Sequence, residues 1–161
     1  RVDAEQAWQV VAARAGLPLS ILRLSGIYGP GRNTFMNLAN GTARRLVKKD
    51  QVFNRIRVED IASATAFLAG PKTGGIFNVT DDMPSPPQDV VTEAARLMEM
   101  DAPAEQPFET AELTPMARSF YGENKRVSNA KIKSLGFNFQ YPNYMMSLAD
   151  LLGSGTWNQR G

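Results

Sequence analysis

The sequence contains no cysteine and no histidine. Without cysteine it can form no disulfide and offers no thiolate nucleophile, and without histidine it has no Ser-His-Asp arrangement. The usual ligand sets of zinc sites are excluded for the same reason. Carboxylates alone could still hold a metal, but no Asp/Glu spacing resembles a calcium loop, so we expect no metal site.

Long apolar runs and a strong net charge are also missing. No run approaches the length of a membrane span, nothing at the start resembles a signal peptide, and the formal charge is only +2. The densest basic group is typical of a solvated face, with nucleic-acid binding as the weaker alternative; it comprises Arg44, Arg45, Lys48 and Lys49. We therefore expect a cytoplasmic protein that binds neither nucleic acid nor a membrane.

What is present is enough for one globular domain, because 43% of the 161 residues are hydrophobic. Apolar residues recur at helical spacing from Val2 to Ala15, and Gly16 is a suitable end for that helix. The chain begins inside this helix and lacks an initiator Met, which predicts a truncated chain.

Helices and apolar strands alternate after this first helix, which predicts an α/β fold. Leu19–Gly26 reads as a strand buried on both faces, followed by a short helix, two short strands around Lys49-Asp50, a helix over Val58–Gly70 and a strand over Gly74–Asp82. The second half is richer in helix, with helices predicted over Gln88–Met100, after Ser128, and over Tyr144–Leu152. Residues 101–115 read as an ordered loop or a short edge element, 118–129 as a loop, and 153–161 as a flexible tail.

Four segments, in this order, resemble the second half of a short-chain dehydrogenase/reductase: LRLSGIYGPGRN (22–33), FNRIRVEDIASA (53–64), GGIFNVTDD (74–82) and ENKRVSNAKIKSLGF (123–137). The resemblance is to the extended and atypical branch, the NAD-dependent epimerase/dehydratase family. It implies the C-terminal part of a Rossmann-like parallel sheet with a small α-rich substrate-binding subdomain, and a missing N-terminal half. Residues 1–82 would then belong to the NAD(P)-binding domain, with 34–57 contributing to the substrate region, and 83–152 would form the lid.

The same resemblance implies NAD or NADP as cofactor and a small molecule as substrate. In family members the segment matching Leu24, Ser25, Gly26 and Ile27 lies against the nicotinamide ring, and a glycine there permits close backbone approach. Tyr28 and Arg32 would face the substrate. The alternative is that Gly29-Pro30-Gly31 is only a tight turn; the residues alone favour the turn, and the family order favours a site at 25–28.

Arg1 falls at the position of the family's catalytic Lys, and the partner Tyr would lie upstream of this chain. Arg keeps the positive charge but is bulkier and cannot be deprotonated. The fragment would therefore not carry the reaction alone. The parent would be an oxidoreductase or epimerase-like enzyme, or alternatively a non-catalytic NAD(P)-binding or redox-sensing protein. The family often dimerises through the helix that begins near Arg1, so a homodimer is possible.

Two departures from the family pattern bear on the substrate. Enzymes acting on nucleotide sugars usually have Asn at the position of Gly26 and Arg at that of Phe53, so we expect the substrate not to be a nucleotide sugar. Arg55 or Arg57 could supply the lost charge, depending on a bend in the strand, and we name Arg57 as the candidate. Tyr121 and Arg126, in the loop before the helix that follows Ser128, are further candidates for substrate binding.

Overall fold

The computed structural model describes residues 2–70 and 73–159. Within these ranges helices and strands alternate in the order α1 Val2–Ala15, β1 Ser20–Leu24, β2 Gly26–Tyr28, α2 Thr34–Ala39, β3 Arg45–Val47, β4 Arg55–Arg57, α3 Val58–Leu68, β5 Gly75–Val79, α4 Pro87–Leu97, β6 Glu105–Pro107, α5 Pro115–Phe120, α6 Ala130–Ser134 and α7 Tyr144–Gly153. The predicted α/β class is confirmed, and every strand pair is parallel.

Helix α1 ends as the sequence predicts. Gly16 has a φ of +64°, and the amide of Leu17 donates to the carbonyl of Ala12 at 3.0 Å, the hydrogen bond that closes a Schellman motif. The apolar side chains of α1 are nevertheless uncovered: none of its residues is buried, and Trp8 is 63% exposed. The helix is therefore formed by local signals rather than by packing within the described chain.

The apolar run after Pro18 is two strands rather than one. β1 pairs with β5, whereas β2 pairs with β4, and the change of partner falls at Ser25 and Gly26. The amide of Ser25 donates to Val79 O at 3.3 Å, and the next amide, of Gly26, donates to Asn54 O at 3.1 Å. The prediction of a strand buried on both faces is wrong, because the first three residues of β1 are only partly buried and Arg23 and Leu24 are exposed.

Strand β4 is held on both sides near its start. Beyond its pairing with β2, its Arg55 carbonyl accepts from the amide of Asp81 at 2.8 Å and from the hydroxyl of Thr80 at 3.2 Å. β1 and β5 run in parallel, so their carboxyl ends, Leu24 and Val79, meet at one edge. In open α/β sheets this edge is where ligands bind.

Two hydrophobic clusters flank this edge. The first packs α2, α4 and α7 together, and its buried members are Phe35, Leu38, Val90, Val91, Ala94, Ala95, Tyr144, Leu148 and Leu151. The second packs α3 and α6 against β4 and β5, and its buried members are Ile56, Ala64, Leu68, Phe77, Val79, Ile132 and Phe137.

The loop predicted over 118–129 begins with a helical turn. Helix α5 covers Pro115–Phe120, and the Thr114 hydroxyl accepts from the amide of Ala117 at 3.2 Å. A Thr at the N-cap followed by Pro at the first helical position is a common helix start, so a local signal for α5 was present in the sequence.

The segment after α7 differs from the expected flexible tail over 153–161. Trp157 packs edge-on against Phe35 with ring centroids 6.2 Å apart. Its carbonyl accepts from the amide of Gly31 at 2.9 Å and from the side-chain amide of Asn33 at 2.7 Å. The chain end, as far as residue 159, is therefore fastened to the turn that follows β2; residues 160 and 161 lie outside the described ranges.

None of the helices in the described ranges combines the length and the apolar character needed to cross a membrane.

Replacing Trp157 by Ala should destabilise this chain, because it removes the ring packed on Phe35 and weakens the anchor of the turn. We expect a loss of about 2 kcal/mol in the free energy of unfolding, below the range for a fully buried Trp because this one is half-buried. Urea denaturation measures it. Met116→Ala, at a side chain that is 73% exposed, is the control and should change the same quantity by less than about 0.5 kcal/mol. Equal losses in the two variants would contradict the anchoring role.

Candidate functional site

A cavity of about 770 Å³ opens at the carboxyl ends of β1 and β5, beside β2 and the start of β4. Its wall combines backbone and side chains from these strands with side chains of α4, α5 and α7. The lining residues are Arg23, Leu24, Ser25, Gly26, Ile27, Tyr28, Thr34, Phe53, Asn54, Arg55, Asn78, Val90, Phe120, Lys125, Val127, Tyr144 and Leu148. The volume suits a small organic ligand or part of a larger one.

The segment from Leu24 to Tyr28 forms one continuous part of this wall. Leu24 and Ile27 are 38% and 37% exposed, which is unusual for apolar strand residues, and the exposed parts belong to the cavity wall. Gly26 between them contributes backbone alone. The structure therefore brings together in one cavity the four residues that the resemblance assigns to the cofactor, with Tyr28 next to them.

Gly26 has a second reason to be glycine. A Cβ at this position would lie 3.2 Å from the carbonyl oxygen of Asn54, the atom that accepts the Gly26 amide hydrogen bond. That distance is tighter than almost all real contacts of a Cβ, so the neighbouring strand itself favours glycine here. The sequence argument, which explained the glycine by close approach of a ligand alone, was incomplete.

The residues after Tyr28 form a tight turn, as the alternative interpretation proposed. The amides of Gly29 and Arg32 each donate to the other's carbonyl, at 3.0 and 3.1 Å, and Gly31 has a φ of +67°. A Cβ at Gly29 would lie 2.6 Å from Cγ1 of Val58, at the start of α3. The glycines are thus fixed by the turn and by helix packing, and Arg32 does not line the cavity.

Arg57 is engaged elsewhere and does not line the cavity. Its guanidinium is 98% buried, makes two hydrogen bonds of 2.6 Å to the carboxylate of Glu59, and contacts Asp150 at 3.3 Å. The face of Tyr141 lies 4.3 Å from it. The candidate role in substrate binding is therefore not supported: α3 begins immediately after Arg57, and the side chain joins α3 to α7.

Arg55, two residues earlier, lines the cavity instead. Its Nη1 donates to the carbonyls of Phe53 at 3.1 Å and Ser85 at 3.2 Å. Burial lowers the pKa of Arg55, and the neighbouring charge of Asp81 opposes that effect. Within the described ranges no carboxylate lies close enough to form an ion pair with it.

Tyr28 in the wall and Asp81 near it both carry buried polar atoms. Burial raises the pKa of Tyr28 to about 12, and the nearby Ser147 hydroxyl opposes that effect. Burial also raises the pKa of Asp81 to about 7; its Oδ1 accepts from the amide of Met83 at 3.2 Å, whereas its buried Oδ2 has no partner among the described residues. Asp81, which is not itself among the lining residues, is thus a buried carboxyl group with a pKa near neutral.

Comparisons with known proteins agree with this architecture. No family model matches the chain. Protein YeeZ of Escherichia coli K12 is 30% identical over 129 residues, which are 79% of this chain and 42% of YeeZ. A conserved protein of unknown function from Silicibacter pomeroyi is 51% identical with a TM-score of 0.87, over 98% of this chain and 55% of its own.

Two further solved structures are of proteins that are named as members of a family. A protein assigned to the NAD-dependent epimerase/dehydratases in Methylobacillus flagellatus is 30% identical with a TM-score of 0.58, covering 84% of this chain and 47% of its own. The human epimerase family protein SDR39U1, crystallised with NADPH, is 15% identical with a TM-score of 0.71, over 84% and 48%. This chain matches the C-terminal part of an NAD-dependent epimerase/dehydratase. It spans about half the length of the proteins that it matches.

The structure also shows where the remaining candidate residues lie. Tyr121 is buried between the rings of Phe53 and Phe108, at centroid distances of 5.1 and 4.8 Å, and does not line the cavity. Arg126 is exposed and also outside the wall, although its neighbours Lys125 and Val127 belong to it. Arg1, at the position of the family's Lys, lies outside the described residues.

The sequence interpretation missed several wall residues that come from distant elements. Val90 and Leu148 are core residues of α4 and α7 that also reach the cavity, Phe120 comes from α5, and Asn78 lies in β5. Helical periodicity marks Val90 and Leu148 only as inward-facing, because it cannot distinguish a cavity from a packed core.

Replacing Asp81 by Asn should remove a pH dependence of folding stability. The folded chain keeps the proton of Asp81 up to about pH 7, whereas an unfolded Asp releases it near its ordinary pKa of about 3.9. Asp81 therefore stabilises the fold fully below about pH 4. This stabilisation, at most about 4 kcal/mol in the free energy of unfolding, is lost as the pH rises through 7. Asn keeps the oxygen that accepts from Met83.

Urea denaturation at pH 5 and pH 8 measures this effect. Wild type should lose stability between the two values, and Asp81→Asn should lose distinctly less. Asp101→Asn, at an exposed position, is the control and should behave like wild type. A wild-type decline that persists undiminished in Asp81→Asn would show that Asp81 is not the responsible group.

Proposed function

We propose that this chain supplies the nicotinamide-side wall and the substrate cavity of an NAD(P)-binding protein of the oxidoreductase or epimerase type. The observation that carries the proposal is the segment from Leu24 to Ile27, which lines a large cavity at the carboxyl ends of the parallel strands β1 and β5. That edge is the usual ligand-binding edge of α/β sheets. The NADPH complex of SDR39U1, which shares the fold, supports it.

The residues present fit one end of such a cofactor. A flat ring needs a wall with little side-chain bulk, and Gly26 contributes only backbone between the apolar side chains of Leu24 and Ile27. When bound, NAD(P) accepts or donates a hydride. The chain's own residues would orient the ring against this wall, and the apolar side chains of Val90 and Leu148 would help to exclude water from the cavity.

The substrate would be a small molecule other than a nucleotide sugar. The family positions that usually hold a sugar nucleotide are Gly26 and Phe53 here, and both line the cavity without offering the charge or the amide of the usual residues. A lost charge-assisted hydrogen bond corresponds to about 1.5–3 kcal/mol.

A second candidate is an NAD(P)-binding protein without catalytic activity. It is favoured by Arg1 at the position of the family's Lys, since an Arg cannot lose its proton. In both proposed functions the cofactor binds to the same wall of the cavity, and only the first includes turnover of a substrate.

Replacing Ile27 by Trp should weaken cofactor binding, because the larger side chain fills the wall where the ring would lie. For the intact protein that carries this chain we expect at least a tenfold rise in the Kd for NADPH or NADH, or about 1.4 kcal/mol. Isothermal titration calorimetry measures it.

Met116→Trp is the matched control, because Met116 is 73% exposed and outside the cavity wall. Its Kd should equal that of wild type. Failure of the wild-type protein to bind either cofactor, or unchanged binding by Ile27→Trp, would contradict the proposal.

We also propose that the intact protein forms a homodimer through α1. This helix exposes Val2, Trp8 and Val11, at 66%, 63% and 56% exposure, and none of its residues is buried. Trp8→Glu should shift the intact protein toward monomer in sedimentation velocity, because it places a charge in the apolar contact. Wild type that sediments as a monomer at micromolar concentration would contradict this assignment.

A further inference from the structure

The cavity wall carries positive charge only. Arg23, Arg55 and Lys125 contribute to it, and no Asp or Glu is among the lining residues. A cavity lined by one sign of charge favours a ligand of the opposite sign.

Two of these three cations already have partners. Arg23 forms an ion pair of 2.7 Å with Glu5, and Lys125 pairs with Glu123. Both are exposed, so these pairs are screened by water and contribute little to a ligand's binding.

Arg55 is different. It is largely buried, burial lowers its pKa, and no carboxylate of the described residues lies within ion-pair distance. Asp81 affects it only through its longer-range charge. A buried charge without a counter-ion is costly, and a bound anion would offset that cost.

The guanidinium is also held in place. Both of its hydrogen bonds use Nη1, which donates to the carbonyls of Phe53 and Ser85 and so fixes the orientation of the group. Its Nε and Nη2 donate to no atom of the described chain. The residue beside Arg55 in the ladder is Gly26, which has no side chain to cover it.

The rest of the wall is largely apolar. Phe53, Phe120 and Tyr144 contribute aromatic surface, and Val90, Val127 and Leu148 contribute aliphatic surface. Such a wall stabilises an apolar body by burying its surface.

We infer that Arg55 binds the carboxylate of a small substrate whose remaining body is apolar. The inference rests on the proposed function, of which it names the substrate class. A carboxylate matches the two free donor positions of the fork and carries one negative charge. A phosphate monoester or a diphosphate carries more charge, and the two other cations of the wall are already paired with Glu5 and Glu123.

Matched acid and amide pairs test this inference: phenylacetate against phenylacetamide, and 3-phenylpropionate against 3-phenylpropionamide. Isothermal titration calorimetry is carried out on the intact protein saturated with NADP⁺. We expect wild type to bind each acid at least tenfold more tightly than its amide. Arg55→Gln should reduce that preference to less than threefold, and Arg55→Lys should leave an intermediate value because it keeps the charge without the fork.

Arg126→Gln is the control, since this exposed Arg lies outside the wall, and it should keep the wild-type preference. NADPH binding by each variant, measured in parallel, shows that the fold and the cofactor site are intact. It also separates the two claims. If wild type does not bind NADPH, the proposed function is contradicted. If wild type binds NADPH but shows no preference for the acids, only the role of Arg55 is contradicted.

Two other outcomes would overturn the inference. One is a preference for acids that survives in Arg55→Gln. The other is saturable binding of UDP-glucose or inorganic phosphate that depends on Arg55 and exceeds that of both carboxylates.

Discussion

The change of partner between β1 and β2 creates the cavity. Up to Leu24 the chain pairs with β5, and from Gly26 it pairs with β4, so the sheet divides at Ser25. A single continuous strand would keep these backbones side by side and leave no opening. The split exposes Leu24 and Ile27 to a cleft bounded by α4 and α7, and it places Arg55 beside a glycine. The site therefore depends on backbone pairing more than on any side chain.

Local signals predict much of this fold. Gly16 marks the end of α1 and acidic residues mark the start of α3, and the structure adds Asn143, whose side chain caps α7 by accepting from the amide of Met146. Each of these signals acts within one turn of helix, so the sequence nearby is sufficient. The family order of the motifs adds the parallel sheet, and the solved structures confirm it.

Long-range contacts account for what the sequence could not predict. Alternation along β4 puts Arg55 and Arg57 on one side, but helix α3 starts at the next residue and Arg57 is held by Glu59 and by Asp150 of α7, 93 positions away. Trp157 is likewise positioned by a turn that lies far from it in sequence. No local pattern contains Asp150 or the turn that holds Trp157. The cavity segment 24–28 was found because the family resemblance identifies it, and its glycine proved to be required by Asn54 as well.

The most direct test of the account is where the nicotinamide ring lies. In the intact protein with selectively labelled methyl groups, nuclear Overhauser effects between the ring protons of NADPH and nearby methyls report contacts within about 5 Å. We expect nuclear Overhauser effects from the ring protons to the methyls of Ile27 and Leu24 and none to the methyl of Met116. A saturated complex in which the ring protons contact other methyls, and neither of these two, would contradict it.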